Sequence, residues 1–226
     1  MINGNLLKRI LTSLFLILTL IFCLFYNQFS WKSLLIIFLA LCFYEFFKLI
    51  NKIFFNKITS SIIIFLIFVY LCIIYSLLIK IRAEYGEEII LILFLSCVLS
   101  DIGGYVTGKL IGGPKLTRIS PAKTISGAFG SIVFTVFGSI IFIKYFVEID
   151  KKIILSELSS LIYLWLILMS IFCQSGDLLI SYLKRRAKIK DTGTLLPGHG
   201  GILDRVDGII FAIPLGVLSY LILKTI

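Results

Sequence analysis

Charge is scarce in this sequence. Only 15% of the 226 residues are Asp, Glu, Lys or Arg, against roughly 25% in a soluble domain. Hydrophobic residues make up 59%, and the mean hydropathy is +1.08. These values exclude a soluble globular fold and point to an integral membrane protein. A spanning helix takes about 20 residues, so spans consume most of the chain and leave no sizeable soluble module. A nucleic-acid-binding domain is thereby excluded, although the formal net charge is +10. Histidine occurs once, at His199, so no His-rich zinc site is available. The five cysteines (Cys23, Cys42, Cys72, Cys97, Cys173) are odd in number, lie inside apolar runs and lack metal-ligand spacing. They read as small buried hydrophobes. No repeat period or low-complexity tract stands out. The first apolar run follows Lys8-Arg9, but no small-residue cleavage site comes after it. Phe22 before Cys23 also fits lipoprotein processing poorly, so a retained helix is expected.

What is present is a series of apolar runs. They predict spans near Ile10–Tyr26, Leu34–Ile50, Ser61–Ile79, Ile89–Leu110, Gly127–Phe146, Leu158–Leu179 and Ile202–Leu223. The expected fold is all-α: a polytopic transmembrane helix bundle of about seven spans, with a polar site at the cytoplasmic side of the bilayer. One integral membrane domain is expected over residues 1–226, with apolar N-terminal spans over 1–100 and a motif-bearing catalytic region over 101–208. Most glycines and all four prolines fall after Ser100. With the N-terminus in the cytoplasm, that side carries Lys8, Arg9, Lys48, Lys52, Lys57, Lys109, Lys115, Arg118, Lys123, Lys184, Arg185, Arg186, Lys188, Lys190 and Arg205. This is 15 of the 22 basic residues, so the positive-inside bias favours N-in and C-out. The excess charge also suits anionic lipid. Glu45 stands three residues before Lys48, which predicts a local ion pair on one helix face in preference to a direct site role.

Four segments carry chemistry. In Ser100-Asp101-Ile-Gly-Gly-Tyr105-Val-Thr-Gly108-Lys109, Asp101 ends an apolar run and shares a helix face with Tyr105 and Gly108. Gly104 and Gly108 form a small-xxx-small pair that allows close helix approach. Residues 112–127 form a loop marked by Gly-Pro and Ser-Pro. Its Lys115, Arg118, Lys123, Ser120 and Thr124 precede a helix start, a setting that suits phosphate oxygens. Asp177, Ser181 and Lys184 follow at spacings of four and three, on one stripe of a helix leaving the membrane. Such a stripe can hold a metal and an anion together. The fourth segment, Ser181 to Asp207, places six Lys or Arg beside Asp191, His199, Asp204 and Asp207 between two apolar runs. Charge at membrane depth is costly and marks a site. Asp204 and Asp207 share a helix face and repel unless a cation intervenes. Hard oxygen ligands beside phosphate imply Mg²⁺. The Pro-Gly-His-Gly-Gly turn around His199, Gly200 and Gly201 offers backbone amides to a phosphate or headgroup.

Ser181-x-Leu183-Lys184-Arg185, Lys190-Asp191-x-Gly193, Leu196-Pro197-x-His199-Gly200-Gly201 and Asp204-Arg205-x-Asp207 stand in the order and spacing of the phosphatidate cytidylyltransferases, or CDP-diacylglycerol synthases. Ser120-Pro121-x-Lys123-Thr124 and Gly127-x-x-Gly130 also resemble that family. The resemblance covers about Asp101 to Gly208. It implies transfer of a cytidylyl group from CTP to phosphatidate, giving CDP-diacylglycerol and pyrophosphate in phospholipid biosynthesis. It carries metal binding to Asp177 and Asp204, with Asp207 as a further ligand or support. Lys184, Arg185, Lys190 and Arg205 become phosphate binders in the reaction. Asp101, Ser120, Lys123, Thr124, Ser181, Asp191, His199, Gly200 and Gly201 become substrate contacts. The implied cofactor is Mg²⁺, with a second cation left open. The implied setting is the inner (cytoplasmic) membrane, with the site facing the cytoplasm and a homodimer left open.

Two other readings compete. A CTP-dependent polyprenol kinase, or a CDP-lipid synthase with another acceptor, would need a similar membrane site and differs in product. A lipid transporter or scaffold that binds anionic headgroups would have no need of Asp177, Asp204 and Asp207, because carboxylates oppose anion binding without a metal.

Overall fold

The computed structural model describes residues 4–147, 161–196 and 200–224. In chain order the helices are α1 (Gly4–Tyr26), α2 (Gln28–Ile53), α3 (Lys57–Tyr85), α4 (Glu87–Leu110), α5 (Ile125–Phe146), α6 (Leu161–Arg186) and α7 (Leu203–Lys224). Strands are absent among the described residues, which hold only two isolated bridges, Lys115 with Thr124 and Leu196 with Gly200. The protein is therefore all-α. Six helices, α2 to α7, are long and apolar enough to cross a membrane, and the apolar stretch of α1, Leu11–Tyr26, is shorter. The protein is a multi-pass membrane protein.

Most helices run past the apolar windows read from the sequence. α3 begins at Lys57 and ends at Tyr85, and α6 continues to Arg186. Helical hydrogen bonding does not stop where hydropathy does, and Lys and Arg stems can lie along apolar surface while their charges reach water. The predicted start of the sixth span, at Leu158, lies outside the described residues. Local chemistry sets several ends. Asn27 caps α2 by accepting from Ser30 N at 2.7 Å, and Thr124 caps α5 by accepting from Gly127 N at 3.1 Å. Glu87 and Glu88 occupy the first turn of α4, where the helix dipole favours anions. α6 closes with Lys188 at φ 55°, Lys188 N donating to Arg185 O at 3.1 Å and Ile189 N to Lys184 O at 3.0 Å. That is the Schellman pattern with lysine where glycine is usual.

The chain divides into two compact units. The first comprises Met1–Ile79 and Leu183–Val206, the second Lys80–Tyr182 and Asp207–Ile226. In the first unit, Ser60 Oγ donates to Asn51 Oδ1 at 2.6 Å, and Phe43 meets Phe68 edge-on at 5.6 Å. Both contacts tie α2 to α3. In the second unit, small residues let α4 and α5 nearly touch. A Cβ on Gly103 would lie 2.5 Å from Gly130 O, one on Gly127 would lie 2.8 Å from Gly104 O, and one on Gly130 would strike the Thr107 side chain. This close approach agrees with the small-xxx-small reading of Gly104 and Gly108. Hydroxyl pairs add polar links inside the same unit, Ser96 with Ser139 at 3.1 Å and Ser100 with Ser170 at 3.0 Å. Trp165 Nε1 donates to Gly216 O at 2.8 Å, joining α6 to α7.

Candidate functional site

Two polar clusters occupy the motif-bearing segments, one in each unit. The cluster of the first unit centres on Asp204, in the first turn of α7. Lys184 Nζ donates to Asp204 Oδ1 at 2.7 Å, and both side chains are largely buried, 13% and 6% exposed. Asp204 Oδ2 accepts from Thr192 N at 2.8 Å and Gly201 N at 3.0 Å, and lies 3.0 Å from the Thr192 hydroxyl oxygen. A buried carboxylate requires such saturation, because an unpaired buried charge is far costlier than a paired one.

A second carboxylate serves the same turn. Glu45, in the middle of α2, is 1% exposed. Its Oε2 accepts from Thr192 Oγ1 at 2.6 Å and Leu203 N at 2.9 Å, and its Oε1 accepts from Ile202 N at 3.0 Å. The expected pairing of Glu45 with Lys48 is therefore overturned. Lys48 instead sits over the Tyr44 ring, 4.2 Å from its centroid. The amides of Gly201, Ile202 and Leu203, which lead into α7, would otherwise be unsatisfied inside the protein. They take Glu45 and Asp204 as partners. Gly201 N–H, which the sequence offered to a phosphate, is directed to Asp204. Gly200 has φ +84°, and a Cβ there would approach Asp204 Oδ2 at 3.1 Å and Asp191 Cβ at 3.2 Å. Glycine is needed at that position on both counts. His199 lies outside the described residues. Arg185, Lys190, Asp191 and Arg205 are exposed around this network.

The cluster of the second unit centres on Asp177. Lys123 Nζ forms an ion pair with Asp177 Oδ2, each side chain 27% exposed, and Ser181 Oγ donates to Asp177 Oδ1 at 3.3 Å. Lys123 is held by its own turn, its N–H donating to Ser120 O at 3.1 Å, while Leu116 N donates to Lys123 O at 2.8 Å. Thr124, next in sequence, is committed to capping α5. Lys115 shares the loop but is exposed and has no side-chain ion pair among the described residues. Asp101 is exposed, with Cys173 Sγ 4.0 Å from its Oδ1. Asp207 is half-buried, and its Oδ1 accepts from Gly208 N at 2.9 Å.

The donor set admits a hard cation in limited fashion. Mg²⁺ usually takes one or two carboxylates, keeps several waters and binds substrate phosphates, rather than filling an all-protein cage. Among the described residues no three His, Cys, Asp or Glu side chains group to hold a metal. Asp177 fits that sparse mode, since its Oδ1 has only the long Ser181 contact. Asp204 fits it less well, because two amides and the Thr192 hydroxyl already crowd Oδ2 and only Oδ1 has capacity to spare. Of the residues read from sequence, the structure brings Lys184 to Asp204, Lys123 and Ser181 to Asp177, and Gly200 to Asp191 and Asp204. Sequence reasoning missed Glu45 as a partner of the motif loop. The available signal was a carboxylate deep in an otherwise apolar helix.

Buried charges at helix ends and a glycine turn locked by carboxylates define a polytopic membrane protein with polar clusters in its motif-bearing segments. The profile of the cytidylyltransferase family matches residues 51–223, and the chain belongs to that family. A phosphatidate cytidylyltransferase of Staphylococcus epidermidis is 42% identical over 145 residues, 64% of this chain and 52% of that protein. One from Helicobacter pylori is 43% identical over 142 residues, 61% and 49% of the two chains. One from Brucella suis is 40% identical over 129 residues, 57% and 45%. The chain thus spans about half the length of the curated relatives it matches.

Proposed function

We propose that this protein is a phosphatidate cytidylyltransferase, converting CTP and phosphatidate to CDP-diacylglycerol and pyrophosphate. The observation that carries the reading is the Lys123–Asp177 pair: an ammonium and a carboxylate, both partly open, at the start of a capped apolar helix. An ammonium placed there can meet a phosphate, and a carboxylate beside it can meet a cation that the phosphate also binds. An oxygen of the phosphatidate phosphate attacks the α-phosphorus of CTP. A new P–O bond forms, the α–β P–O bond breaks, and pyrophosphate leaves with the electron pair. Both reactants are anions, so charge neutralisation and alignment supply most of the catalysis.

In the first unit, Lys184 is pre-set by Asp204, and Arg185, Lys190 and Arg205 are the exposed cations assigned to phosphate. In the second, Lys123 carries that role and Ser181 and Asp177 support it. Asp101, Asp191, His199, Gly200 and Ser120 remain assigned to substrate, while Gly201 and Thr124 support the site through Asp204 and the α5 cap. Mg²⁺, when bound, neutralises phosphate charge at the reacting centre. Asp177 is the first ligand to test, with Asp204 and Asp207 next. The membrane is the inner membrane, and the site opens to the cytoplasm, where CTP is. The test is direct: purified protein, labelled CTP, phosphatidate and Mg²⁺. Labelled CDP-diacylglycerol is the expected product. A phosphorylated lipid alcohol, or no CTP-dependent product, refutes the assignment.

A further inference from the structure

We infer that Glu45 is a positioning residue for the reaction, acting through Thr192 on Asp204 and Lys184. The inference rests on the cytidylyltransferase reading for its catalytic consequence, though not for the anchoring itself. Glu45 cannot touch substrate, being 1% exposed. Its position is unusual in energetic terms. A carboxylate in the middle of an apolar spanning helix carries a heavy desolvation cost. Local pairing on α2 does not offset that cost, because Lys48 is engaged with Tyr44. Its three donors among the described residues all come from the motif segment: Thr192 Oγ1, Ile202 N and Leu203 N. The charge therefore stabilises one arrangement of that segment and penalises any in which the segment swings away.

Two glycines bear independent witness. An ideal Cβ on Gly193 would stand 2.5 Å from Glu45 Oε1, and one on Gly201 would stand 2.7 Å from the same oxygen and collide with Thr192 Oγ1. The motif glycines leave room for the Glu45 carboxylate. Their lack of a side chain answers to an anchor on another helix. The path onward is short. Thr192 Oγ1 lies 2.6 Å from Glu45 Oε2 and 3.0 Å from Asp204 Oδ2, and Thr192 N holds Asp204 Oδ2 at 2.8 Å. Asp204 Oδ1 in turn fixes Lys184 Nζ at 2.7 Å. Glu45 thus determines where Thr192 stands, Thr192 orients Asp204, and Asp204 aims the Lys184 ammonium.

The experiment compares Glu45→Gln, Thr192→Val and Thr192→Ser with the full-length wild type in detergent. Three quantities are read: kcat and KM for CTP, melting temperature, and hydrogen exchange of the amides at 201–203. Glu45→Gln presents an NH₂ where at least one backbone N–H now finds an oxygen. It should speed exchange of Ile202 or Leu203 by about tenfold or more and lower kcat by a similar factor. Thr192→Val leaves both backbone amides on Glu45 and the residue-192 N–H on Asp204 Oδ2, but removes the hydroxyl that lies between the two carboxylates. It should lower kcat by about tenfold without a matching rise in KM, and Thr192→Ser should restore it. A loss of kcat that Thr192→Ser fails to restore, or normal kcat in Thr192→Val, overturns the inference even if Glu45→Gln does not fold. Unchanged exchange at Ile202 and Leu203 in Glu45→Gln also overturns it. If the wild type makes no CDP-diacylglycerol, the cytidylyltransferase reading fails, and the exchange measurement alone judges the anchor.

Discussion

Asp177 and Asp204 each face a lysine, yet their surroundings make them different experiments. The Lys123–Asp177 pair is about a quarter exposed, whereas Lys184 and Asp204 are mostly buried. Breaking an exposed pair costs roughly 0–1 kcal/mol, while removing one partner of a buried pair costs about 3–5 kcal/mol. Asp177→Asn should therefore abolish most turnover, by several orders of magnitude if it holds the metal, and barely move the melting temperature. Asp204→Asn should lose turnover and stability together. Thermal unfolding in detergent beside the CTP assay separates the two, and near-normal turnover in Asp177→Asn removes it from the chemistry. The lysines of the 112–127 loop divide in the same way. Lys123 meets Asp177, whereas Lys115 is exposed and contributes through its backbone bridge to Thr124. Lys123→Gln should fall well below wild type in kcat/KM, and Lys115→Gln should stay within about tenfold, roughly 1.4 kcal/mol. Equal damage from both would remove the distinction within this loop. The contact of Ser181 with Asp177, four residues apart on α6, was legible from spacing alone, whereas Lys184 pairs with Asp204 instead. Glu45 was not legible, because its partners lie 147 and 158 residues away in sequence. A local rule of helix spacing offered Lys48 instead, and the long-range hydrogen bonds prevailed over it.

Among the elements, α4 and α5 depend most on what is missing from their side chains. Gly130 has no space for a methyl group beside Thr107, and Gly103 and Gly127 face backbone oxygens at 2.5 and 2.8 Å. A long flexible side chain can yield to a new methyl; a β-branched threonine tied to its own helix, as Thr107 is to Gly103 O, or a backbone carbonyl in a helix cannot. Gly130→Ala and Gly127→Ala should each destabilise the protein by about 1–3 kcal/mol through overpacking. Gly113→Ala meets no atom within 4 Å and bears only the strain of φ +104°. The order of melting temperatures, wild type above Gly113→Ala above Gly130→Ala, checks the argument. A Gly130→Ala protein as stable as wild type would mean that the two helices part readily. The helices themselves were readable because long apolar runs admit little else in a bilayer. Their ends were less readable. Charged residues such as Lys57 and Arg186 belong to the helices while contributing nothing to the hydropathy by which spans are recognised.

For the molecule as a whole, the distribution of charge makes a claim about sidedness. Basic residues fill the connections after α4 and α6 and flank the one after α2, as Lys52 and Lys57, and the positive-inside rule puts such segments in the cytoplasm. The claim can be tested within the second unit by two positions separated by one crossing. α4 has 24 residues, a length of about 36 Å against a hydrocarbon core of about 30 Å, so its two ends must emerge on opposite faces. Glu84 is exposed before it and Lys115 is exposed after it. In a background where the five native cysteines are replaced, Glu84→Cys should react with an impermeant maleimide added to intact spheroplasts. Lys115→Cys should react only after permeabilisation. Lys188→Cys, scored separately for the first unit, should also stay protected until the membrane is opened. The reverse pattern would turn the site away from the compartment that holds CTP, and the proposed reaction would lack its nucleotide. Labelling of Glu84→Cys and Lys115→Cys from the same face would mean that α4 does not cross, which would overturn the span assignment while leaving the family intact.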